Sequence, residues 1–449
     1  MSLLIRRLVQ RAFNFPTTTP ATSSAISFSR RYAVQAPVSE EEAKAVVSPR
    51  KGPRISNGLN WALAGKGVIV QDKSHYNLSS SELKHFGGTI AESLSGIPVH
   101  VRGDVTGRTP KISKAEYGKL LKHVTSHISS ISDVFVHDGA VGSSLICDAK
   151  VRVISDSPSA VLSLSNVLWK TPTRAVSHDS CPLTVYVATS ISPNFLESIG
   201  LASQVNSGLL AADIERSSLI LCGKAFSNTK SIKDALAAVA EPVISARGGL
   251  LLSARLLVSG DSVVLLFATE DVIKSCSSTV LSADAGVILS SDGVSSLFQT
   301  GDSTTLTLFK LPSAVILASA DSSGILPSAS KLSPGQAAYH FLAGYQNGKF
   351  VPAYSNGPSA LDPLELAKSF LSKLKDHQIP SFLVNVNKGD KKVTGKVEKR
   401  AFGNKLVKLI QSTLSMNIPP FNPKAGDFQS MYKNFVSSKH RELPEEFCF

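Results

Sequence analysis

Apolar positions recur at the helical period over residues 114–130 and 159–169, whereas 134–138, 151–155 and 183–188 form short, largely apolar runs of strand length. A loop carrying Gly103 and Gly107 precedes them. From about residue 250 a second half follows, with apolar strand runs at 262–267, 286–289, 306–311 and 314–318 and helical stretches at 334–345, 363–376 and 399–413. Strands alternating with helices predict an α/β fold, and no segment repeats another. The longest apolar runs, 263–268 and 314–318, stop at Thr269 and Ser319. Both fall far short of the ~18 apolar residues that a membrane-spanning helix needs, so no membrane span is expected.

The first residues carry a different pattern. Coiled as a helix, residues 3–13 place Leu4, Ile5, Leu8, Val9 and Ala12 on one arc and Arg6, Arg7 and Arg11 on the other. Acid-free sequence rich in Ser, Thr and Pro follows over 17–29, and Arg30-Arg31-Tyr32-Ala33 looks like a matrix-protease site cut after Tyr32. Residues 1–32 therefore read as a mitochondrial presequence, and a matrix or matrix-facing location is expected. The mature chain divides into an N-terminal arm and first elements at 33–95, a domain at 96–245, a second domain at 246–425 and a tail at 426–449. Residues 39–57, charged and Gly/Pro-bearing without a sustained period, form the arm.

Composition narrows the class. With 43% apolar and 18% charged residues in 449, the chain is globular rather than fibrous or of low complexity. The 47 basic residues exceed the 34 acidic ones, but five arginines lie in the first 31 positions, and the remaining 42 against 34 are only mildly basic. A dedicated nucleic-acid binder carries more. Cys147, Cys181, Cys222, Cys276 and Cys448 lie far apart without a CxxC, so neither a zinc knuckle nor a disulfide framework is suggested. His123 and His127, four apart, share a helix face that permits metal ligation, but no acidic or cysteine third ligand is near, and solvated histidines are the plainer reading. Cys181 lies beside His178 and Asp179 without an oxyanion turn and reads as a strand-end thiol. Residues 388–400 hold six basic residues against two acids, a solvated hairpin by default, with RNA or an acidic protein as the alternative contact. Phe428, Met431, Tyr432, Phe435, Phe447 and Phe449 mark the tail as an interface anchor or as a segment packed on its own domain.

Longer motifs point to a family. Ala-Val-Ile-Leu-Ala-Ser-Ala-Asp-Ser-Ser-Gly-Ile-Leu-Pro at 314–327, followed by Ser330-Lys331-Leu332 and by the Gln336 to Tyr345 run, resembles the C-terminal half of ATP-type phosphoenolpyruvate carboxykinases. Thr106-Gly107-Arg108-Thr109-Pro110-Lys111 resembles their substrate-arginine loop. Lys150-Val-Arg152-Val-Ile, with Asn166 and Pro172, resembles the strand and helix after it. Asp261 to Phe267 stands where the strand into the phosphate-binding loop would be, and Phe382 to Asn385, Thr394-Gly395-Lys396 and Arg400 keep the family's order. The resemblance implies a two-domain carboxykinase-like fold with mixed sheets. It also implies an ancestral reaction in which oxaloacetate is decarboxylated and ATP phosphorylates the enolate with the help of metal ions.

The residues that such chemistry requires are largely replaced. Ala268 to Cys276 contains no glycine, so its backbone amides lack the Cβ-free approach that a triphosphate nest needs, and Glu270 and Asp271 would repel the phosphates. By resemblance Lys274 and Ser275 stand at the loop lysine and metal-binding hydroxyl, Lys230 at the metal-binding lysine, Phe226 at a substrate-side tyrosine, and Lys331 at a phosphate-gripping arginine. Leu251 or Leu252 takes the place of a metal-binding histidine, and Ser290, Ser291 and Asp292 take that of paired acids. Arg108, Lys230 and Asp292 are thus vestigial catalytic candidates, and Lys274, Ser275, Lys331 and Arg400 vestigial cofactor contacts. The expected function is a non-catalytic, structural or accessory subunit of a mitochondrial assembly, with neither a resident metal nor a cofactor. A working carboxykinase using ATP with Mn²⁺ or Mg²⁺ through rearranged ligands is the first alternative. A ribosome- or RNA-associated accessory protein is the second.

Overall fold

The structure, a computed structural model of the chain, describes residues 57–106, 109–171, 181–191, 208–259, 262–268, 273, 286–299, 308–346, 348–352, 359–386, 408, 410, 413–414, 417–423 and 427–447. Helix α1 (Asn57–Gly65), strand β1 (Lys73–Tyr76), helix α2 (Ser80–His85) and strand β2 (Val99–Arg102) come first. Helix α3 (Lys114–Ser130) begins in a capping box, with the Ser113 hydroxyl accepting from the Glu116 N–H and the Glu116 carboxylate accepting from the Ser113 N–H. Strands β3 (Asp133–Val141) and β4 (Ala149–Ser155), helix α4 (Pro158–Ser165), strands β5 (Trp169–Lys170), β6 (Leu183–Ala188), β7 (Leu209–Asp213) and β8 (Ser218–Cys222), and helix α5 (Thr229–Ala246) complete this half.

Among the described residues these strands form one mixed sheet ordered β1-β3-β4-β6-β8-β7-β2, with β5 on β3. β4, β6 and β8 run parallel, while β3–β4 and β7–β8 are antiparallel. Alternation along the strands feeds two cores. Val151, Val153, Leu219 and Leu221 pack with Leu162 of α4 and Leu236 and Val239 of α5, whereas Ile154, Ile220 and Cys222 pack with Leu63 of α1 and Leu120 and Val124 of α3. Because both faces are covered, β6, β7 and β8 read as largely apolar runs.

The second half runs through β9 (Leu250–Leu252), β10 (Arg255–Ser259), β11 (Ser262–Phe267), β12 (Val287–Ser290), β13 (Gly293–Ser296), β14 (Leu308–Phe309), β15 (Ala314–Ser319) and β16 (Ala329–Leu332). Helix α6 (Pro334–Leu342), strands β17 (Ala343–Gln346) and β18 (Lys349–Pro352), helix α7 (Pro363–Asp376), strand β19 (Ser381–Asn385) and helix α8 (Phe428–Lys439) follow. β10-β11-β15-β19-β16 form a mixed sheet whose three central strands are parallel, and β14-β13-β12-β9 an antiparallel one. The small sheet ties the halves together. Its Leu250, Leu252, Val287 and Leu289 join the core under α6 and α7, while Ile288 and Leu251 join the core of the first half. Ile55 to Phe449 accordingly form one compact unit.

The expected α/β class holds, and several elements differ from the periodicity. The helix expected over 159–169 stops at Ser165, because Trp169 pairs with Ala140 and its indole N–H donates to the Ser296 carbonyl at 3.1 Å. The helix expected to reach Tyr345 ends at Leu342, and residues 343–346 turn into a hairpin strand whose Tyr345 ring packs on Phe350 and Phe428. Only 308–309 of the run at 306–311 is strand among the described residues. Most of 399–413, all of 388–400 and residues 1–56 lie outside the described set. In the tail, Phe428, Tyr432 and Val436, at helical spacing, are buried, and Phe447 is too. Of the two roles expected for these aromatics, the structure gives them the internal one. Tyr432 donates its hydroxyl to the carbonyls of Tyr339 and Ala343, where α6 ends. The side chain of Met431 points to solvent, 47% exposed; Phe449 lies outside the described residues.

Candidate functional site

Arg108 itself lies outside the described residues, but the chain is tied down two residues before it, at Thr106. Thr106 exchanges backbone bonds with Ser359, 2.9 Å from its N–H to the Ser359 carbonyl and 3.3 Å in return. Segment 359–361 is in turn gathered by Glu241 of α5, 3% exposed. The Glu241 carboxylate accepts from the Ser359 hydroxyl at 2.9 and 3.0 Å, from the Ala360 N–H at 2.6 Å and from the Leu361 N–H at 3.3 Å. Burial pushes its carboxyl pKa up despite these donors. Sequence reasoning missed Glu241; the available signal was an acid beside Pro242 amid apolar residues.

Lys230 and Asp292 are not brought together. Lys230 is exposed in the first turn of α5, where the helix dipole disfavours a cation, and Phe226 is buried just before it. Asp292 is exposed in the β12–β13 turn and accepts from the Ser291 hydroxyl at 3.2 Å. Its neighbourhood is the other end of α5, because the chain leaves that helix at its cap Arg247 and enters β9, whose Leu250 pairs with Leu289 of β12, three residues before Asp292. At about 1.5 Å per residue the two ends of this helix are about 25 Å apart. Leu251 and Leu252 pair with β12, and their side chains enter opposite apolar cores. These residues do not fit a divalent metal, which needs oxygen or nitrogen donors converging within about 2–2.6 Å.

The carboxyl ends of β11, β15 and β19 form the edge at which open α/β sheets usually hold ligands. Here Asp321, fully buried, accepts from the Ser323 and Gly348 N–H groups at 3.2 and 3.3 Å and from the Ser323 hydroxyl at 2.7 Å. Asn385 closes the arrangement, accepting from the Asp321 N–H and donating to its carbonyl, both at 3.0 Å. Sequence reading assigned neither residue a role. Beyond Ala268, Ile273 is helical and packs on the sheet face beside Leu266 and Ile316, while Lys274, Ser275 and Arg400 lie outside the described residues. Lys331 is exposed on β16, and its backbone pairs with Pro419 and Phe421.

The other constellations resolve into structural roles. His127 directs one ring nitrogen, Nε2, at both Asp156 (3.1 Å) and Ser190 (3.0 Å), whereas a nucleophilic triad needs the acid and the serine on different nitrogens. Asp156 also takes the N–H and hydroxyl groups of Thr189 and Ser190, so its oxygens are spent on the loop after β6. Burial, and then the charge of His127, lower the pKa of His123. Cys181 is a buried cysteine two residues before β6, and His178 and Asp179 lie outside the described residues. Arg152 grips Asp138 with two bonds of 2.7 and 2.8 Å, and Arg102 pairs with Asp213 and Glu215 at 2.5 Å each. Among the described residues no three His, Cys, Asp or Glu side chains are grouped to hold a metal, and no helix is long and apolar enough to cross a membrane.

Comparison with known proteins places a relationship on the second half. Residues 301–417 match the family described as phosphoenolpyruvate carboxykinase. Phosphoenolpyruvate carboxykinases (ATP) of Flavobacterium johnsoniae, Saccharomyces cerevisiae and Christiangramia forsetii are 34%, 31% and 37% identical over 87 residues. Each alignment covers 16% of this chain and 16% of the relative, so the likeness spans about a sixth of the enzymes it matches.

Proposed function

We propose that this chain, a relative of the ATP-type phosphoenolpyruvate carboxykinases through residues 301–417, works without their chemistry, as a structural or accessory subunit of a mitochondrial assembly. The observation that carries the reading is the placement of Leu251 and Leu252 in two apolar cores, with Lys230 and Asp292 at opposite ends of α5. The glycine-free sequence from Ala268 to Cys276 supports it, since a site without its phosphate nest and metal ligand loses about 10²- to 10³-fold for each missing contact. The deciding experiment uses purified mature protein. It is expected to release no phosphoenolpyruvate from oxaloacetate and ATP, and to melt at the same temperature with and without Mn-ATP. A bound nucleotide at ~100 Kd would add roughly 2.7 kcal/mol, so a clear upward shift refutes the reading.

The family match favours a second reading, an ATP-dependent carboxykinase with a rearranged site, and turnover in the same assay would establish it. Matrix import rests on the amphipathic, arginine-bearing residues 1–32. N-terminal sequencing of the organellar protein is expected to begin at Ala33, and an intact Met1 would remove that part of the proposal.

A further inference from the structure

The turn between β3 and β4 lifts two large apolar side chains into solvent, Leu145 at 55% and Ile146 at 60% exposed. The backbone beneath them is firmly held. Gly142 and Ser143 donate to the Leu297 and Ser296 carbonyls at 2.8 and 3.1 Å, the Ser144 hydroxyl accepts from the Ile146 N–H at 3.3 Å, and the buried Cys147 thiol donates to the Arg247 carbonyl at 3.3 Å. Arg247, capping α5, gives Nη1 to the carboxylate and carbonyl of Asp148 at 2.5 Å each, and its side chain is 42% exposed. Among the described residues its Nε and Nη2 donate to nothing. Lys373 of α7 reaches the Gly248 carbonyl at 3.3 Å beside it. Asp148 is buried and shared with Lys150, so the outward charge here is Arg247 and Lys373 against Asp292.

A turn whose backbone is held by hydrogen bonds, exposing two aliphatic side chains beside a half-exposed arginine, offers a contact whose backbone ordering cost is met before binding, and arginine is among the residues that dominate docking hot spots. We infer that Leu145 and Ile146, with Arg247 and Lys373, form a docking surface for an acidic segment of another protein, one that presents an apolar side chain flanked by carboxylates. The cationic excess of the patch, and of the chain after residue 32, sets the sign of the partner. This inference rests on the accessory-subunit reading and adds the surface and the chemistry of what it meets.

The test places a photo-crosslinking residue at position 146 of the full-length protein expressed in its organelle, with position 61 as a remote control, Trp61 being 80% exposed on α1. Native gels of the same extracts report assembly. The expected result is a crosslink from 146, and not from 61, to an acidic peptide of a second protein, lost when Lys373→Glu reverses the rim charge. Leu145→Asp, which touches no hydrogen bond, should abolish it as well and serves if Lys373→Glu fails to fold. A crosslink to another copy of this chain, to RNA or to lipid, or one indifferent to both substitutions, overturns the docking surface. So does migration in a large assembly with no crosslink from 146, which leaves the accessory reading standing. Migration as a free monomer overturns both.

Discussion

At the scale of single residues, buried polar groups set the testable energetics. Glu241 serves four hydrogen bonds and yet binds its proton more tightly in the fold than in the open chain, so its contribution is best below the ordinary carboxyl value and worsens as pH rises through the folded one. At pH 7, Glu241→Gln should therefore melt no lower than the parent, while Glu241→Ala, leaving the donors of 359–361 unpaired, should lose about 1–3 kcal/mol. Thermal melts of both variants check this, and a large loss in the glutamine variant would contradict it. His137 and His340 bear on acid stability. Burial lowers them from 6.5 to about 4 and about 3, and among the described residues neither ring nitrogen of His137 has a hydrogen-bond partner. Both are neutral in the fold, so stability is full above pH 6.5 and falls as pH drops toward the folded values, by about 3 kcal/mol for a shift the size of that at His137. His137→Leu should flatten that loss in urea titrations between pH 6.5 and 4. An unchanged slope would rule out this source.

At the scale of elements, α8 is held by a narrow apolar stripe. Phe428, Tyr432 and Val436 recur every fourth residue and lie against α6 and the β17–β18 hairpin, with Tyr339 and Tyr432 rings 4.3 Å apart. Phe428→Ala should cost about 3–5 kcal/mol through the cavity it leaves. Limited proteolysis should then cut within 427–447 first; a variant as stable as the parent would mean that α8 adds nothing to the core. Gly335 has a related role, because a Cβ there would collide with the Glu446 carbonyl as the tail passes over the first turn of α6. Gly335→Ala should accordingly loosen the same segment.

At the scale of the molecule, the four-stranded sheet makes the halves one cooperative body. Ile288 faces the first core from a strand whose Val287 and Leu289 face the second, so its truncation is felt by both. Ile288→Ala should lower stability by about 2–4 kcal/mol while calorimetry still shows one transition. Two separated transitions would show that the halves fold independently.

The sequence by itself determined the elements whose period is local. Residues 114–130, 183–188, 262–267 and 363–376 are the helices and strands that their apolar spacing predicts, because burial of one helix stripe or of both strand faces writes itself into neighbouring residues. The α/β class follows from their alternation. It did not disclose α5, where Pro242 interrupts the helical signal, or the strand role of Trp169, which depends on a carbonyl 127 residues away. That Leu251 and Leu252 offer no metal-binding atom was legible as residue types. That Lys230 and Asp292 stand at opposite ends of one helix, that Glu241 gathers the segment 359–361 on which Thr106 pairs, and that Phe428, Tyr432 and Phe447 turn inward were decided by tertiary structure, since distances between residues far apart in the chain arise only when the cores close.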